Sequence, residues 1–299
     1  MDVRILSGPR TGHLSERVAH ELGEPPARAA WQTFPDGEVH VVVPTGVGGR
    51  RVALIQSLVA PAGEGILELA LLSDACHRAG AAGQIAVFPY VGYARQDRCT
   101  QTGEALGGEV VARLVIGGRF TQVVAVDLHS DAAAGWFGVP VHHLSALPAL
   151  AAEIRASLPV RTVVVSPDLG GAKRAERVAR VLGLPLAIIH KQRRPSGDVV
   201  VHHVLGDVRG CSIVIVDDLI STGGTIEAAV SALRAAGCED DISVLATHAL
   251  LVGKAIERLA ACRIRQLVRT DSVPSPQELP FPVRVVPLAP LLASTLRNM

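Results

Sequence analysis

Two adjacent carboxylates, Asp217 and Asp218, are followed three residues on by Ser221-Thr222-Gly223-Gly224-Thr225. The glycines permit a tight turn that leaves successive backbone N–H groups exposed. A helix predicted over 226–236 brings the partial positive charge of its N-terminus to the same place. Such a loop cradles a phosphate monoester, and Ser221, Thr222 and Thr225 add hydroxyl donors. The carboxylates stand about one ribose length away, where they can accept hydrogen bonds from vicinal sugar hydroxyls. A phosphate cradle beside an acidic pair points to a 5-phosphorylated ribose. No Lys follows the second glycine, so the loop is not a Walker A motif. The alternative is an ordinary strand-to-helix turn of small residues, but two acids at the end of a buried strand are costly without a partner.

Five further clusters carry polar chemistry. Tyr93-Ala94-Arg95-Gln96-Asp97-Arg98 gathers two guanidinium groups, an amide and a carboxylate, and arginines hold phosphate oxygens bidentately; an internal Arg–Asp pair in a solvated loop is the other reading. Asp127 and His129 alternate past a buried strand, where a hard cation such as Mg²⁺, with few protein ligands and the substrate's phosphates, would fit. A His at a strand end is otherwise simply hydrogen-bonded. Asp168, followed by Gly170-Gly171, reads as a second such carboxylate or as a helix N-cap. Lys191-Gln192-Arg193-Arg194-Pro195-Ser196-Gly197 reads as a basic loop able to close over a reacting phosphoryl group, or as an exposed turn. Phe34-Pro35-Asp36-Gly37-Glu38 is a turn on which an adenine ring can stack, although Pro-Asp-Gly also forms turns without any ligand. His142-His143 and His202-His203 are read as non-ligands, because neighbours on a strand face opposite ways. Arg174, Glu176, Arg177 and Arg180 are read as a solvated helix face.

The elements that must position these groups alternate along the chain. Strands are expected at 3–6, 39–43, 52–56, 85–88, 123–126, 162–165, 186–189, 213–216, 242–246, 267–268 and 283–286. Helices are expected at 12–22, 66–79, 104–116, 172–182, 226–236, 255–261 and 291–296. The polar clusters follow the strands ending at 88, 126, 165 and 216, and open parallel sheets bind ligands beyond the carboxyl ends of their strands. One composite site is therefore expected. The chain has 299 residues, 48% of them hydrophobic and only 3% aromatic, which suits parallel sheets sandwiched by helices. A Pro- and His-bearing pause at 140–148 suggests two successive α/β halves. Net charge is +1, so no basic field points to nucleic acid. No apolar run reaches the ~18 residues of a membrane span, and no signal sequence opens the chain. Five scattered cysteines suggest neither a disulfide framework nor a zinc site. A cytoplasmic enzyme is expected.

The quoted segments, taken in order and with Val165-Ser166-Pro167-Asp168-Leu169-Gly170-Gly171-Ala172-Lys173-Arg174, resemble the motifs of the ribose-phosphate pyrophosphokinase family from about Ser7 to Leu292. The resemblance implies two tandem phosphoribosyltransferase-like domains, 1–144 and 145–299, each an open, mostly parallel sheet flanked by helices. The last helix, about 287–299, would pack back on the first domain. It implies transfer of the β,γ-diphosphoryl group of ATP to O1 of ribose 5-phosphate, with Mg²⁺ as cofactor, in a homo-oligomer. Phe34, Asp36, Gly37 and Glu38, from a neighbouring subunit, would hold adenine, and Arg95 and Gln96 would hold ATP. Asp127, His129 and Asp168 would serve Mg²⁺. Lys191 and Arg193 would be catalytic, Arg193 also touching the sugar phosphate. Asp217, Asp218, Ser221, Thr222, Gly223, Gly224 and Thr225 would hold ribose 5-phosphate. A phosphoribosyltransferase would need only one such domain, and a non-catalytic regulatory homologue would be free to lose Lys191 or Arg193, which are both present.

The chain departs from the family pattern at Cys99-Thr100-Gln101-Thr102-Gly103-Glu104-Ala105, at Glu109, at Gly138 and His142, and in stopping at Met299 without a Ser-bearing tail. These departures predict little or no activation by inorganic phosphate and weak inhibition by ADP. A steady-state assay with and without added phosphate checks this, and strong phosphate dependence would contradict it.

Overall fold

The computed structural model describes residues 3–117, 119–193, 199–274 and 278–299. Strands and helices alternate in it because short β-branched runs alternate with amphipathic ones. The chain divides into two units, the first made of Met1–Ser145, Ser272–Pro274 and Pro287–Met299, the second of Ala146–Asp271 and Ser275–Val286.

In the first unit, β1 (Val3–Ser7), α1 (Gly12–Leu22), the hairpin β2 (Ala30–Thr33) and β3 (Val39–Val42), β4 (Arg51–Ile55), α2 (Ala62–Arg78), β5 (Gly83–Phe88), α3 (Gly107–Ile116), β6 (Gln122–Val126) and β7 (Val141–Leu144) follow in order. The sheet order is β1-β4-β5-β6-β7, all parallel. Its core includes Leu6, Leu54, Phe88, Leu69, Leu72 and Val111. Helix α1 stops where the sequence predicts: the Gly23 N–H donates to the carbonyls of Ala19 and His20. Helix α3 begins three residues later than the pattern suggests. Glu104 is engaged elsewhere, its carboxylate accepting the Thr100 N–H and hydroxyl and the Gln101 N–H to close a turn ahead of the helix.

The second unit contains α4 (Leu147–Arg155), β8 (Thr162–Ser166), α5 (Ala172–Leu182), β9 (Leu186–Arg193), β10 (Val199–Leu205), β11 (Ser212–Ile220), α6 (Gly224–Ala235), β12 (Ile242–Ala249), α7 (Ala255–Ala261), β13 (Gln266–Thr270) and β14 (Val283–Val286). The sheet order is β10-β9-β8-β11-β12-β13-β14. Among the described strands of this sheet, only β9 and β10 pair antiparallel. Strand β11 is central and buried on both faces. Ile213 and Ile215 pack with Ile226, Val230 and Leu233 of α6, while Val214 and Val216 pack with Leu150 and Ile154 of α4 and Val178 of α5. Each such side chain contributes about 1.5–3 kcal/mol, which is why an unbroken β-branched run is required there. Helix α8 (Ala289–Arg297) belongs to the first unit, where it packs on α1 and Arg297 donates to the Glu21 carbonyl. No described helix is long and apolar enough to cross a membrane.

Two elements correct the sequence reading. The strand expected at 213–216 runs on to Ile220, so the acidic pair lies within β11 and not beyond it. The segment expected to be loop from Lys191 onward continues β9 to Arg193, paired in register with β10 through Lys191↔Val201 and Arg193↔Val199. Residues 194–198, and the side chains of Lys191 and Arg193, lie outside the described residues.

Candidate active site

β8 pairs with β11 only along Ser212–Ile215. Beyond that point β11 keeps β12 as its neighbour, through Asp217↔Ala246 and Ile220↔Ala249, and its other side faces the turn that leaves β8. Arg174, in the first turn of α5, fills this notch. Its Nη1 lies 3.2 Å from Asp218 Oδ1 and 3.7 Å from Asp217 Oδ1. The reading of Arg174 as solvated surface is therefore wrong: its side chain is 16% exposed, against 5% for Asp218 and 13% for Asp217. Glu176, Arg177 and Arg180 are exposed, as expected. Asp217 Oδ1 also accepts the Asp218 N–H at 2.9 Å. Burial pushes the Asp217 carboxyl well above the usual carboxylate range. Its neighbour Asp218 and, more weakly, Asp168 push the same way, with Arg174 opposing. The structure thus gathers Asp168, Asp217, Asp218 and Arg174 at the carboxyl ends of β8 and β11.

Asp168 is half-buried in the turn before α5, where its Oδ1 accepts the Gly171 N–H at 2.8 Å and its carbonyl accepts the Ser166 hydroxyl at 2.6 Å. It braces this turn, while Gly171 is the N-cap residue of α5. After β11, Ser221, Thr222 and Gly223 form the bend into α6, with Gly223 as N-cap at φ 78°. A Cβ on Gly223 would lie 3.3 Å from both the Cα and the carbonyl oxygen of Ala255, so the backbone rests directly on α7. Thr222 and Thr225 are exposed and Ser221 is half-buried, so the hydroxyls stand at the open N-terminus of a 12-residue helix.

In the first unit the polar clusters also stand at strand ends. The turn after β5 carries Arg95 and Gln96, both exposed. Its conformation is specific: Tyr93 sits at φ 63°, a region a non-glycine residue seldom adopts, and its carbonyl accepts the Gln96 N–H at 2.9 Å. The Gln96 carbonyl in turn accepts the Gly108 N–H at the start of α3. After β6, Asp127 is buried at φ 38° and accepts the Ser145 hydroxyl at 2.8 Å, while His129 is exposed. His143 accepts the Leu128 N–H at 2.9 Å and its other ring nitrogen lies 3.6 Å from Asp131, so it shapes the turn that carries His129. The Phe34–Glu38 segment closes the β2–β3 hairpin. The Phe34 N–H donates to the Glu38 carbonyl, and Asp36 accepts the Glu38 N–H at 3.1 Å. Phe34 is 40% exposed, and its ring is tilted against His40 at 5.9 Å.

Among the described residues, no three His, Cys, Asp or Glu side chains converge as a self-sufficient metal site. Taken by itself, the carboxylate of the half-buried Asp168 offers the oxygen donors that suit a hard cation taking most of its ligands from water and phosphate, and in the first unit the His129 side chain is exposed.

Arg174 escaped the sequence reading because helical periodicity places it on one polar face with Arg177 and Glu176. Its position in the first turn, three residues after Gly171, and its place at the end of the Val165–Arg174 motif were the usable signals.

Residues 3–116 match the family model described as the N-terminal domain of ribose phosphate pyrophosphokinase, and residues 143–264 match the phosphoribosyl transferase domain. The chain is similar to ribose-phosphate pyrophosphokinases of Streptomyces avermitilis, 40% identical over 99% of this chain and 92% of that one, and of Gloeobacter violaceus, 36% identical over 98% and 89%. Its structure is similar to the crystal structure of phosphoribosylpyrophosphate synthetase from Mycobacterium smegmatis, with a TM-score of 0.91 and 35% identity over 100% of this chain and 98% of that one. The chain belongs to the ribose-phosphate pyrophosphokinase family.

Proposed function

We propose that the protein is a ribose-phosphate diphosphokinase, transferring the β,γ-diphosphoryl group of ATP to O1 of ribose 5-phosphate and releasing AMP. The observation that carries this reading is the Asp217–Asp218 pair in β11 running directly into the Ser221–Thr225 bend at the N-terminus of α6. The bend takes the 5-phosphate on backbone N–H groups and hydroxyls. The pair takes the ribose 2- and 3-hydroxyls, and holding the hydroxyls orients O1.

ATP is assigned to the first unit. Arg95 and Gln96 hold its phosphates and ribose, and Phe34, Asp36, Gly37 and Glu38 its adenine, supplied by a neighbouring copy in a homo-oligomer. The bond from O1 to the β-phosphorus forms as the bond from that phosphorus to the α,β-bridging oxygen breaks, and the hydroxyl proton is lost. Charge builds on the β-phosphoryl and bridging oxygens, which is where the Lys191 and Arg193 cations are assigned. Mg²⁺, when bound by His129 with Asp127 in support, and by Asp168, supplies charge neutralisation of the triphosphate and the departing AMP.

Incubation of the protein with Mg²⁺, ATP and ribose 5-phosphate, followed by nucleotide separation, tests the reading. AMP formed only in the presence of the sugar phosphate is the expected result. ADP as the nucleotide product would mean an ordinary kinase and would overturn it.

A further inference from the structure

Three successive peptide carbonyls at the start of the phosphate loop are held from one side. The Ile220 carbonyl accepts the N–H groups of Leu250 and Leu251, at 2.9 and 3.2 Å, and the Ser221 carbonyl accepts the Val252 N–H at 3.0 Å. The Thr222 carbonyl accepts Arg258 Nη1 at 3.0 Å. The first two anchors are main chain, delivered by a turn in which Leu251 sits at φ 50°. The third is a side chain from α7.

In a trans peptide the C=O of one residue and the N–H of the next point in opposite directions. Fixing the carbonyls of Ile220, Ser221 and Thr222 toward the 250–258 segment therefore turns the N–H groups of Ser221, Thr222 and Gly223 away from it, onto the side where a phosphate would bind. The last of these peptides is the least constrained by chain connectivity, because Gly223 lacks a Cβ and stands at φ 78°. It has Arg258 as its anchor. Arg258 is itself aimed by Glu227 on α6, whose Oε2 lies 3.4 Å from its Nε. The guanidinium also lies against the loop: a Cβ on Gly224 would sit 3.3 Å from Arg258 Nη1.

We propose that Arg258 is a positioning residue for the sugar phosphate: by holding the Thr222 carbonyl it points the Gly223 N–H into the phosphate cradle. This rests on the assignment of the 221–225 bend to the 5-phosphate. Without the anchor the Thr222–Gly223 peptide is free to flip, which replaces a donor facing the phosphate with a carbonyl repelling it. The loss falls on ribose 5-phosphate binding and not on ATP.

The test compares wild type with Arg258→Ala, Arg258→Gln and Arg258→Lys in the full chain. It measures ribose 5-phosphate affinity by calorimetry and KM for each substrate by steady-state assay. Arg258→Ala should weaken ribose 5-phosphate binding and raise its KM about tenfold, the loss of one charge-assisted hydrogen bond, with KM for ATP within about twofold of wild type. Arg258→Lys keeps a donor only one bond shorter than Arg258 Nη1 and should recover part of the affinity at the Thr222 carbonyl, whereas the amide of Arg258→Gln stops two bonds short and should recover little. Three results would overturn the proposal: unchanged KM for ribose 5-phosphate in Arg258→Ala, equal loss for both substrates, or recovery by Arg258→Gln as complete as by Arg258→Lys, since the shorter side chain cannot make the anchor. If Arg258→Ala does not fold, the comparison of Gln with Lys still decides. A wild type that neither binds ribose 5-phosphate nor forms AMP would instead refute the functional reading itself.

Discussion

Arg174→Ala will lower the stability of the protein by about 3 kcal/mol at pH 8, a fall in Tm on the order of 10 °C for a unit of this size. The argument rests on what the side chain leaves behind. Asp218 is 4% exposed, and its Oδ1 lies 3.2 Å from the guanidinium, with Asp217 sharing the same cation at 3.7 Å. Removing one partner of a buried pair costs far more than the pair contributes, because the remaining charge stays desolvated. Here two carboxylates would be left in one notch. They can relieve the strain by taking up protons, so the folded variant binds more protons than the unfolded chain above the usual carboxylate range. Its stability therefore falls as pH rises, and the deficit relative to wild type is smallest at pH 5 and largest at pH 8. Thermal unfolding of both proteins at the two pH values checks this. Arg174→Lys should recover part of the loss, since it restores the charge without the planar fork. A Tm at pH 8 within about 2 °C of wild type would show that Arg174 does not hold the pair.

The importance of Arg174 marks the limit of what the sequence discloses. Local signals sufficed wherever one residue type forces one conformation: the β-branched run of β11, the Gly23 stop of α1, the amphipathic span of α5. The polar clusters at the carboxyl ends of β5, β6, β8 and β11 were legible for the same reason, since carboxylates, arginines and glycines interrupt an apolar run in the sequence. What depended on tertiary placement was not. Strand β11 runs past Val216 because β12 continues beside it through Ala249, a fact about the neighbour and not about Asp217 or Asp218. Strand β9 extends through Arg193 because β10 pairs with it, and a basic stretch with a Pro gives no sign of that hairpin. The short β2 and β7, with sequences AWQT and VHHL, carry too few apolar residues to register as strands on their own. Likewise Glu104 looks like a good helix former and is instead spent on closing a turn.

Asp217→Asn should move stability and activity in opposite directions. Burial and the adjacent Asp218 hold the Asp217 carboxyl well above its ordinary range, so the folded protein binds more protons than the unfolded chain between the ordinary value and the raised one. The stability tied to that proton is fully present below the ordinary carboxylate range and is lost as pH rises through the raised value. Asparagine has the same shape and no charge to desolvate. At pH 4 the two proteins should melt together, and at pH 8 the variant should melt about 2–4 °C higher, equivalent to ~1 kcal/mol. Activity should fall by about ten- to a hundredfold in kcat/KM for ribose 5-phosphate, because an amide accepts from a sugar hydroxyl less strongly than a carboxylate does. KM for ATP should stay within about twofold. Calorimetric melts and a two-substrate assay read both halves. A variant less stable than wild type at pH 8 would mean that Arg174 outweighs burial and repulsion at Asp217, and would remove the cost that the sugar is here assigned to offset. If stability rises while ribose 5-phosphate turnover is untouched, Asp217 is a strained residue with no part in binding, and the ribose hydroxyls must be held elsewhere. Gain in one and loss in the other is what a carboxylate kept for its ligand must show: its charge is a burden to the empty fold and is relieved when sugar hydroxyls donate to it.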